Sequence, residues 1–263
     1  MLAAERQARI LQEVQRHGTV RVSELSRLLG VSDMTIRRDL DALAGRARID
    51  KVHGGARASG SPSTEEPGFE AKWARQPGEK QAIAAAAASL VKPGSAIGLS
   101  AGTTTWTLAH HVRTILDLTV VTNSMRIADV LHGSGNGTPN VVLTGGVRTP
   151  SDALVGPIAV SSLQLLHLDL VFLGVHGMDP RAGFTTPNLL EAETDQALVA
   201  AGRRLVALAD HTKWGVVGIR TIVPLEAAHL VISDLGLSGE ARNHLEETVG
   251  ELMLAPVSTE LSG

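Results

Sequence analysis

Apolar residues in the first part of the chain recur every three or four positions, as on the buried faces of short helices. They form three stripes: Ile10, Leu11 and Val14; Leu25, Leu28 and Leu29; and Ile36, Leu40 and Leu43. Ser23 and Ser32 are suitable N-caps for the second and third helices, and Gly30 lies between those helices. Two helices that meet at a tight glycine turn predict a helix-turn-helix, whose second helix runs from Ser32 to about Ala44.

A different pattern follows residue 78, where β-rich runs alternate with helical stretches. The candidate strands are 95–100, 118–122, 140–144, 169–175, 204–209, 229–233 and 251–255. Helical stretches lie between them, including 79–91, 103–112 and 189–201. This alternation predicts an α/β domain with a mostly parallel sheet.

The segment between the two patterns is rich in Gly, Ser, Pro and Glu and has no apolar periodicity. These features predict four parts. Residues 1–57 form a helix-turn-helix domain, 58–78 a linker, 79–256 an α/β domain, and 257–263 a disordered tail. A small β wing is expected over residues 47–56, where a Gly-Gly turn ends the first domain.

Composition narrows the classes of protein that fit. The chain has 263 residues, 43% of them hydrophobic, so it can bury a core, and only 2% aromatic. The absence of cysteine excludes disulfides and thiol catalysis and suits the cytoplasm. No apolar run reaches the roughly 20 residues that a membrane-spanning helix needs. His, Asp and Glu are scattered without metal-ligand spacing, so we expect neither a metal site nor a cofactor.

Charge is distributed unevenly between the two parts of the chain. Residues 1–57 contain 11 Lys/Arg and 7 Asp/Glu, a net charge of +4, whereas the remainder has a net charge of −7. On the third predicted helix, Thr35, Arg37 and Arg38 face away from the apolar stripe and lie near the helix N-terminus. Arginine can bond guanine in a bidentate manner, and a threonine can contact a base or a phosphate. A solvated helix face is the alternative, and the preceding helix, the glycine turn and the basic bias favour DNA recognition.

The run VSELSRLLGVSDMTIRRDLDAL (22–43), followed by KVHGGA (51–56), resembles the N-terminal domain of the DeoR family of bacterial transcription regulators. The resemblance implies a winged helix-turn-helix that binds double-stranded operator DNA. Its expected DNA-binding residues are Ser32, Thr35, Arg37, Arg38, Lys51 and His53. The family usually has Gly where Ala47 stands and basic residues at Asp50 and Lys51, so the wing is expected to be stiffer, with a weaker phosphate contact at Asp50.

Residues 79–256 resemble the sensor domain of the same family, which is similar in fold to ribose-5-phosphate isomerase and to coenzyme A transferases. Five loops that follow predicted strands are rich in Gly, Thr and Asn, and ligands of parallel α/β sheets gather at the carboxyl ends of strands. The expected effector-binding residues are Ser100, Gly102, Thr103, Thr104, Thr105, Asn123, Gly145, Gly146, Arg148, Asp179 and Lys213.

These candidates differ in the chemistry that they offer. The threonines that open the helix at 103–112 present free N–H groups to a phosphate, and Lys213 and Arg148 add positive charge. Asn123 and Asp179 are partners for sugar hydroxyls. Glu191 and Glu193 rank lower, because acidic residues often serve only the dipole of a helix that they open, although the family resemblance places one of them near the cleft. His176 is expected to be a packed histidine.

The preferred function is a DNA-binding transcription regulator, most often a repressor in this family, whose operator affinity depends on a phosphorylated sugar or related metabolite. A homodimer or homotetramer is expected, because one short recognition helix buries too little surface to be selective. The alternative is a sugar-phosphate isomerase-like enzyme with an accessory DNA-binding head. Ser100 stands where the family commonly has Asp, which removes one candidate base from that alternative. A third possibility is an adaptor that binds DNA without an effector.

Overall fold

The chain is described from a computed structural model, which covers residues 2–17, 19–44, 49–52, 54–58, 64, 66, 68–132 and 139–257. It divides into two compact units, Met1–Glu65 and Glu66–Gly263. Each unit has its own apolar core. Among the described residues, no helix combines the length and apolar character that crossing a membrane requires.

The first unit is a winged helix-turn-helix, as the sequence predicts. Its helices are α1 (Ala3–His17), α2 (Val22–Leu29) and α3 (Asp33–Ala44), and its strands are β1 (Thr19–Arg21), β2 (Ile49–Val52) and β3 (Gly55–Ala58). The strands form an antiparallel sheet in the order β1-β3-β2. The predicted apolar stripes meet in one core through the fully buried side chains of Ile10, Leu25, Ile36 and Leu40, but Leu28 of the second stripe is 58% exposed and lies outside that core.

Gly30 and Ser32 form the turn between α2 and α3 as expected, whereas the start of α2 differs from the prediction. Gly30 adopts the left-handed conformation, with φ of 65°, and ends α2. The Ser32 hydroxyl accepts a hydrogen bond from Thr35 N at 3.3 Å, the geometry of an N-cap for α3. Ser23 is not the cap of α2, because that helix begins at Val22. Arg21 precedes the helix, and its N–H donates to the Glu24 carboxylate.

The buried carboxylate of Asp39 joins α1 to α3. It accepts hydrogen bonds from Arg6 Nε and, at 3.0 Å, from Gln7 Nε2. Because Asp39 faces α1, it lies on the side of α3 opposite to the exposed Arg37 and Arg38. The acidic residue beside the two arginines therefore fixes the orientation of α3 and leaves the arginine side chains exposed.

The second unit contains a seven-stranded sheet in which every strand pairing is parallel. Its strands are β4 (Ala96–Leu99), β5 (Thr119–Thr122), β6 (Asn140–Leu143), β9 (Leu170–Gly174), β12 (Leu205–Leu208), β14 (Leu230–Asp234) and β15 (Leu252–Ala255). They lie in the order β15-β14-β12-β9-β4-β5-β6. These seven strands are the seven that the sequence predicts.

Helices cover both faces of this sheet. The helices of the second unit are α4 (Phe69–Trp73), α5 (Pro77–Ala88), α6 (Thr103–Val112), α7 (Met125–Leu131), α8 (Pro157–Leu163), α9 (Leu189–Ala201) and α10 (Gly239–Thr248). Successive residues of the central strand β9 enter different cores. Val171 and Leu173 pack with α9 and α10 on one face, and Phe172 packs with α5 and α6 on the other. Burial of both faces explains why the strands are almost uniformly apolar.

Short strands outside the large sheet are not apparent from the sequence. An antiparallel sheet contains β10 (Gly177–Asp179), β11 (Gly183–Thr186) and β13 (Arg220–Val223), and a hairpin contains β7 (Val147–Arg148) and β8 (Leu154–Val155). With two to four residues each, they are too short for alternation to be visible.

The second half of the expected linker, 58–78, is folded and belongs to the second unit. Helix α4 lies within it, α5 begins at Pro77, and Phe69 is buried. Several other expectations fall outside the described residues: Ala47, His53, the side chains of Asp50 and Lys51, and the tail from residue 258 onward.

The packing of β9 gives a stability prediction. Leu173→Ala removes a fully buried side chain and should lower the free energy of unfolding of the second unit by about 2–5 kcal/mol. Leu165→Ala makes the same change at a side chain that is 86% exposed and should cost no more than about 0.5 kcal/mol. Urea unfolding followed by tryptophan fluorescence measures both, since all three tryptophans lie in this unit. Equal effects would contradict the assigned packing.

Candidate functional site

The parallel sheet changes the direction of its strand order between β4 and β9. From β4 the chain continues to β5 and β6 on one side, and it returns to place β9 on the other side. Loops that leave two such strands diverge and open a crevice at their carboxyl ends. A cavity of about 80 Å³ lies there, lined by Ala101, Gly102, Thr103 and Thr104 after β4 and by Gly174, Val175 and His176 after β9.

The N-terminus of α6 forms one wall of this cavity. The first backbone hydrogen bond of the helix runs from Trp106 N to Gly102 O, and no side chain caps Gly102. The N–H groups of Thr103, Thr104 and Thr105 therefore have no partner within the helix turn. Together with the positive end of the helix dipole, they suit an anion such as a phosphate.

Four cationic side chains also line the cavity: Lys72, Arg75, Lys80 and Lys213. Lys80 is the most buried of them, with 3% of its surface exposed. Its ammonium donates hydrogen bonds to the carbonyl oxygens of Lys72 and Arg75. Burial lowers the pKa of Lys80 to about 8. Burial also lowers the pKa of Lys72, while the charges of Glu191 and Glu66 oppose that shift.

Two acidic side chains of α9, Glu191 and Asp195, complete the lining. Burial raises the pKa of both carboxyl groups, and for Asp195 the neighbouring Glu191 raises it further. A protonated carboxyl group can donate a hydrogen bond as well as accept one. The cavity thus combines a cationic wall for an anion with carboxyl groups that can bond hydroxyls.

The sequence-predicted effector residues fall into three groups in the structure. Gly102, Thr103, Thr104 and Lys213 line the cavity. Ser100, Thr105 and Asn123 lie behind the lining and hold it in place. Ser100 Oγ accepts from Gly174 N at 2.9 Å, Thr105 Oγ1 donates to Gly102 O at 3.0 Å, and Asn123 Oδ1 accepts from Ala101 N at 2.8 Å.

The remaining four predicted residues, Gly145, Gly146, Arg148 and Asp179, do not line the cavity. Gly146 has φ of 117°, and a Cβ there would lie 2.5 Å from Val155 O, so this glycine permits the β7–β8 hairpin. Arg148 is bonded to Asp152. Asp179 accepts two backbone hydrogen bonds in the turn after β10. Gly145, Gly146 and Arg148 follow β6, two strands beyond β4 from the crevice, and Asp179 belongs to β10, outside the large sheet.

Several lining residues are not among the predicted site residues. Lys80 falls at the same helical spacing as the buried Ile83, Ala84 and Ala87, so its place on an apolar face is a signal that the sequence already carries. Lys72 and Arg75 lie in the expected linker, where no pattern indicates them. Glu191 lines the cavity although its position at a helix start suggests only a dipole role, and His176 lines it although it is expected to be a packed side chain.

The exposed surface of α3 is the candidate DNA-binding face. A shallow groove is lined by Val22, Met34, Arg37, Arg38, Leu40, Asp41, Gly54 and Gly55, which belong to the helix-turn-helix and the wing turn. Arg37 and Arg38 are exposed, and Ser32 Oγ and Thr35 Oγ1 lie 3.0 Å apart beside them. Both predicted arginines therefore lie on one accessible surface next to the wing.

One group among the described residues has the composition of a metal site: Glu79, His211 and Asp234. Both oxygens of Asp234 already accept hydrogen bonds, from His211 N and His211 Nδ1, each at 2.7 Å, and from Gly236 N. Burial alone would raise the pKa of Asp234, and these hydrogen bonds outweigh it and lower the pKa. The contacts between His211 and Asp234 join the loop after β12 to the end of β14.

A winged helix-turn-helix with an exposed basic recognition surface, joined to an α/β unit with a polar cavity, defines a DNA-binding regulator. Two family models match the chain: the DeoR-like helix-turn-helix domain over residues 6–61 and the DeoR C terminal sensor domain over residues 75–235. The chain belongs to the DeoR family of transcriptional regulators.

Curated relatives are similar over nearly their whole length. The uncharacterized HTH-type transcriptional regulator YgbI of Escherichia coli (strain K12) is 37% identical over 97% of this chain and 99% of that chain. The lactose phosphotransferase system repressor of Staphylococcus aureus (strain NCTC 8325 / PS 47) is 33% identical over 88% of this chain and 91% of that one.

Among solved structures, the chain is similar over part of its length to ribose 5-phosphate isomerase A from Methanocaldococcus jannaschii. That match has 18% identity and a TM-score of 0.38, and it covers 51% of this chain and 53% of that chain. As a member of the DeoR family this chain is a transcription regulator, and both curated relatives are named as a regulator or a repressor. The alternative of an isomerase-like enzyme is thereby set aside.

The lowered pKa of Lys80 predicts a pH dependence of stability. Between about 8 and the ordinary value of 10.5, the unfolded chain binds more protons at this residue than the folded chain. The free energy of unfolding of the wild type should therefore rise with pH across this interval, relative to Lys80→Met. Urea unfolding of both proteins at a series of pH values measures the difference. A difference that stays flat or falls as pH rises would show that burial does not lower the pKa of Lys80.

Proposed function

We propose that this protein is a transcriptional repressor whose affinity for operator DNA is set by a phosphorylated sugar or related metabolite bound in the cavity between β4 and β9. The exposed face of α3 contacts the major groove through Arg37, Arg38 and Thr35, with Ser32 near a phosphate. Lys51 and His53 are further DNA-binding residues. The protein acts in the cytoplasm as a homodimer or homotetramer.

One observation carries the effector part of this proposal: the unpartnered N–H groups at the start of α6 face the same cavity as four cationic side chains. An anion bound there gains backbone hydrogen bonds, the helix dipole and opposite charge together. On α9, Glu191 and Asp195 supply groups for hydroxyls. A metabolite that carries both a phosphate and hydroxyls fits this arrangement, and the name of one relative refers to a sugar phosphotransferase system.

The DNA part rests on the exposure of Arg37 and Arg38 on α3, next to the wing turn at Gly54. The second helix of a helix-turn-helix reads the major groove with residues near its N-terminus, which is where Thr35 and Arg38 lie. A single helix of this kind contacts few base pairs, so selective binding needs two or more copies on symmetric half-sites. This requirement supports the proposed oligomer.

Arg38→Ala should weaken specific operator binding by roughly 1–3 kcal/mol, because a bidentate contact to a base is lost. Arg9→Ala is the matched control, since Arg9 is exposed on α1, outside the helix-turn-helix pair. Mobility-shift titrations with operator and with scrambled DNA measure both. If Arg38→Ala bound its operator as tightly as Arg9→Ala does, Arg38 would have no role in readout.

A pentose or hexose phosphate that occupies the cavity should raise the melting temperature, by a stabilisation of about 2.7 kcal/mol at a concentration near 100 times its Kd. Lys213→Ala should weaken this effect, because a cation is removed from the cavity wall. Lys92→Ala, which removes an exposed lysine elsewhere on the same unit, should leave it unchanged.

The matching free sugars control for the phosphate in this thermal screen. No shift with any phosphorylated sugar would instead support an adaptor that binds DNA without an effector. A sugar phosphate that shifts melting and leaves operator affinity unchanged would separate binding from regulation and would contradict the proposal.

A further inference from the structure

The segment that enters the second unit passes directly beside the cavity. We call Glu66 together with residues 68–76 the strap. Glu66 is the first residue of the second unit, and the chain before it belongs to the DNA-binding unit. The strap contains α4 (Phe69–Trp73), and two of its side chains, Lys72 and Arg75, line the cavity. Any signal that travels through the covalent chain from the cavity to the first unit passes through this segment.

The carboxylate of Glu66 attaches the start of the strap to the second unit. It accepts hydrogen bonds from Ser151 N at 3.2 Å, from Ser151 Oγ, and from Asn188 Nδ2 at 2.8 Å. Asn188 is also the N-cap of α9, where its side chain accepts from Leu190 N and Glu191 N. The attachment therefore ends at the same helix start that places Glu191 in the cavity.

Glu66 and Glu191 share one hydroxyl group. Ser151 Oγ contacts a carboxylate oxygen of each, and Thr149 Oγ1 donates to the same Glu191 oxygen at 2.9 Å. A serine has one hydroxyl proton, so it cannot donate to both carboxylates at once. Burial raises the pKa of Glu191, whereas hydrogen bonds to Glu66 outweigh its burial and lower its pKa. A change in the contacts of Glu191 in the cavity therefore changes the hydrogen bonding of Glu66 through the Ser151 hydroxyl.

Aromatic contacts hold the middle of the strap. The ring centroids of Phe69 and Trp73 lie 5.7 Å and 4.7 Å from that of Trp106 on α6, both edge to face. The Arg126 guanidinium lies 4.1 Å from the Phe69 ring centroid. These three aromatic side chains are half of the six aromatic residues in the chain. None of these side chains lines the cavity. The aromatic contacts can therefore persist while the hydrogen bonds of the strap change.

The carboxyl end of α4 is bonded to a cavity residue. The Lys80 ammonium donates to the carbonyl oxygens of Lys72 and Arg75, which close the last turn of the strap. Lys80 itself lines the cavity. Both polar attachments of the strap, at Glu66 and at Lys80, therefore connect to side chains that an occupant of the cavity would contact.

We propose that the strap is the element through which occupancy of the cavity is transmitted toward the DNA-binding unit, with Glu66 and Lys72 as its coupling residues. This inference rests on the proposed function of the cavity. Burial lowers the pKa of Lys72 and Lys80, and repulsion by the charge of Lys213 lowers both further. An anion offsets this repulsion and draws Lys72 inward. Occupancy thus tightens the strap on the second unit.

Hydrogen exchange of the full-length protein tests the tightening. The backbone amides of Lys72, Ala74 and Arg75 are bonded within the strap and should exchange more slowly with ribose 5-phosphate or inorganic phosphate than with free ribose. Protection of the loop at 101–106 without protection of the strap would keep the binding site and overturn the coupling. Protection of neither segment would overturn the proposed site and the coupling with it.

A pair of matched variants tests the coupling residue. Glu66→Gln keeps the size of the side chain and removes the charge that acts on Glu191. Glu70→Gln makes the same change on the same strap at a side chain that is 75% exposed. The readout is the ratio of operator Kd values with and without ribose 5-phosphate or inorganic phosphate, measured beside the melting temperature of each variant.

Glu66→Gln should reduce that ratio toward one, by about fivefold or more, while Glu70→Gln keeps the ratio of the wild type. A merely structural role of Glu66 would lower the melting temperature and leave the ratio unchanged, and that result would overturn the proposal. A ratio near one in both variants would also overturn the proposal, because the loss of coupling would then not depend on the contact between Glu66 and Glu191.

Discussion

The divergence of two neighbouring parallel strands, β4 and β9, is the constraint on which the rest of the second unit depends. All seven strands are parallel, so every loop at one end of the sheet follows a strand directly. Only at the point where the strand order changes direction do two such loops separate and leave space. The start of α6 lies at that point, and the carboxyl end of the sheet therefore presents backbone N–H groups to a cavity.

The charges around that cavity follow from burial. Lys80 lies on the buried side of α5, and its ammonium is held by two carbonyl oxygens of the strap. Glu191 and Asp195 lie on α9, where burial favours their neutral forms. The four cationic side chains of the lining outnumber these two acidic ones, which leaves the cavity with an excess of positive charge. This excess is what makes an anionic metabolite the fitting occupant.

The sequence predicts the large elements well because their signals are physical and local. Strands buried on both faces are continuous apolar runs, and α6 begins where Gly102 is followed by three threonines. The site is predicted only in part, because spacing along the chain does not show strand order. Gly145 and Arg148 come after a predicted strand as Gly102 does, but that strand, β6, lies two strands beyond β4 from the crevice. Lys72 lies on a five-residue helix, which is too short to produce a periodic pattern in the sequence.

A crystal structure of the full-length protein grown with a phosphorylated sugar tests the central claim most directly. The account predicts the phosphate against the backbone N–H groups of Thr103 and Thr104, within reach of Lys80 and Lys213, with the sugar hydroxyls toward Glu191. A phosphate bound instead at Arg148, or a cavity that stays empty while the sugar phosphate is bound elsewhere on the second unit, would contradict it.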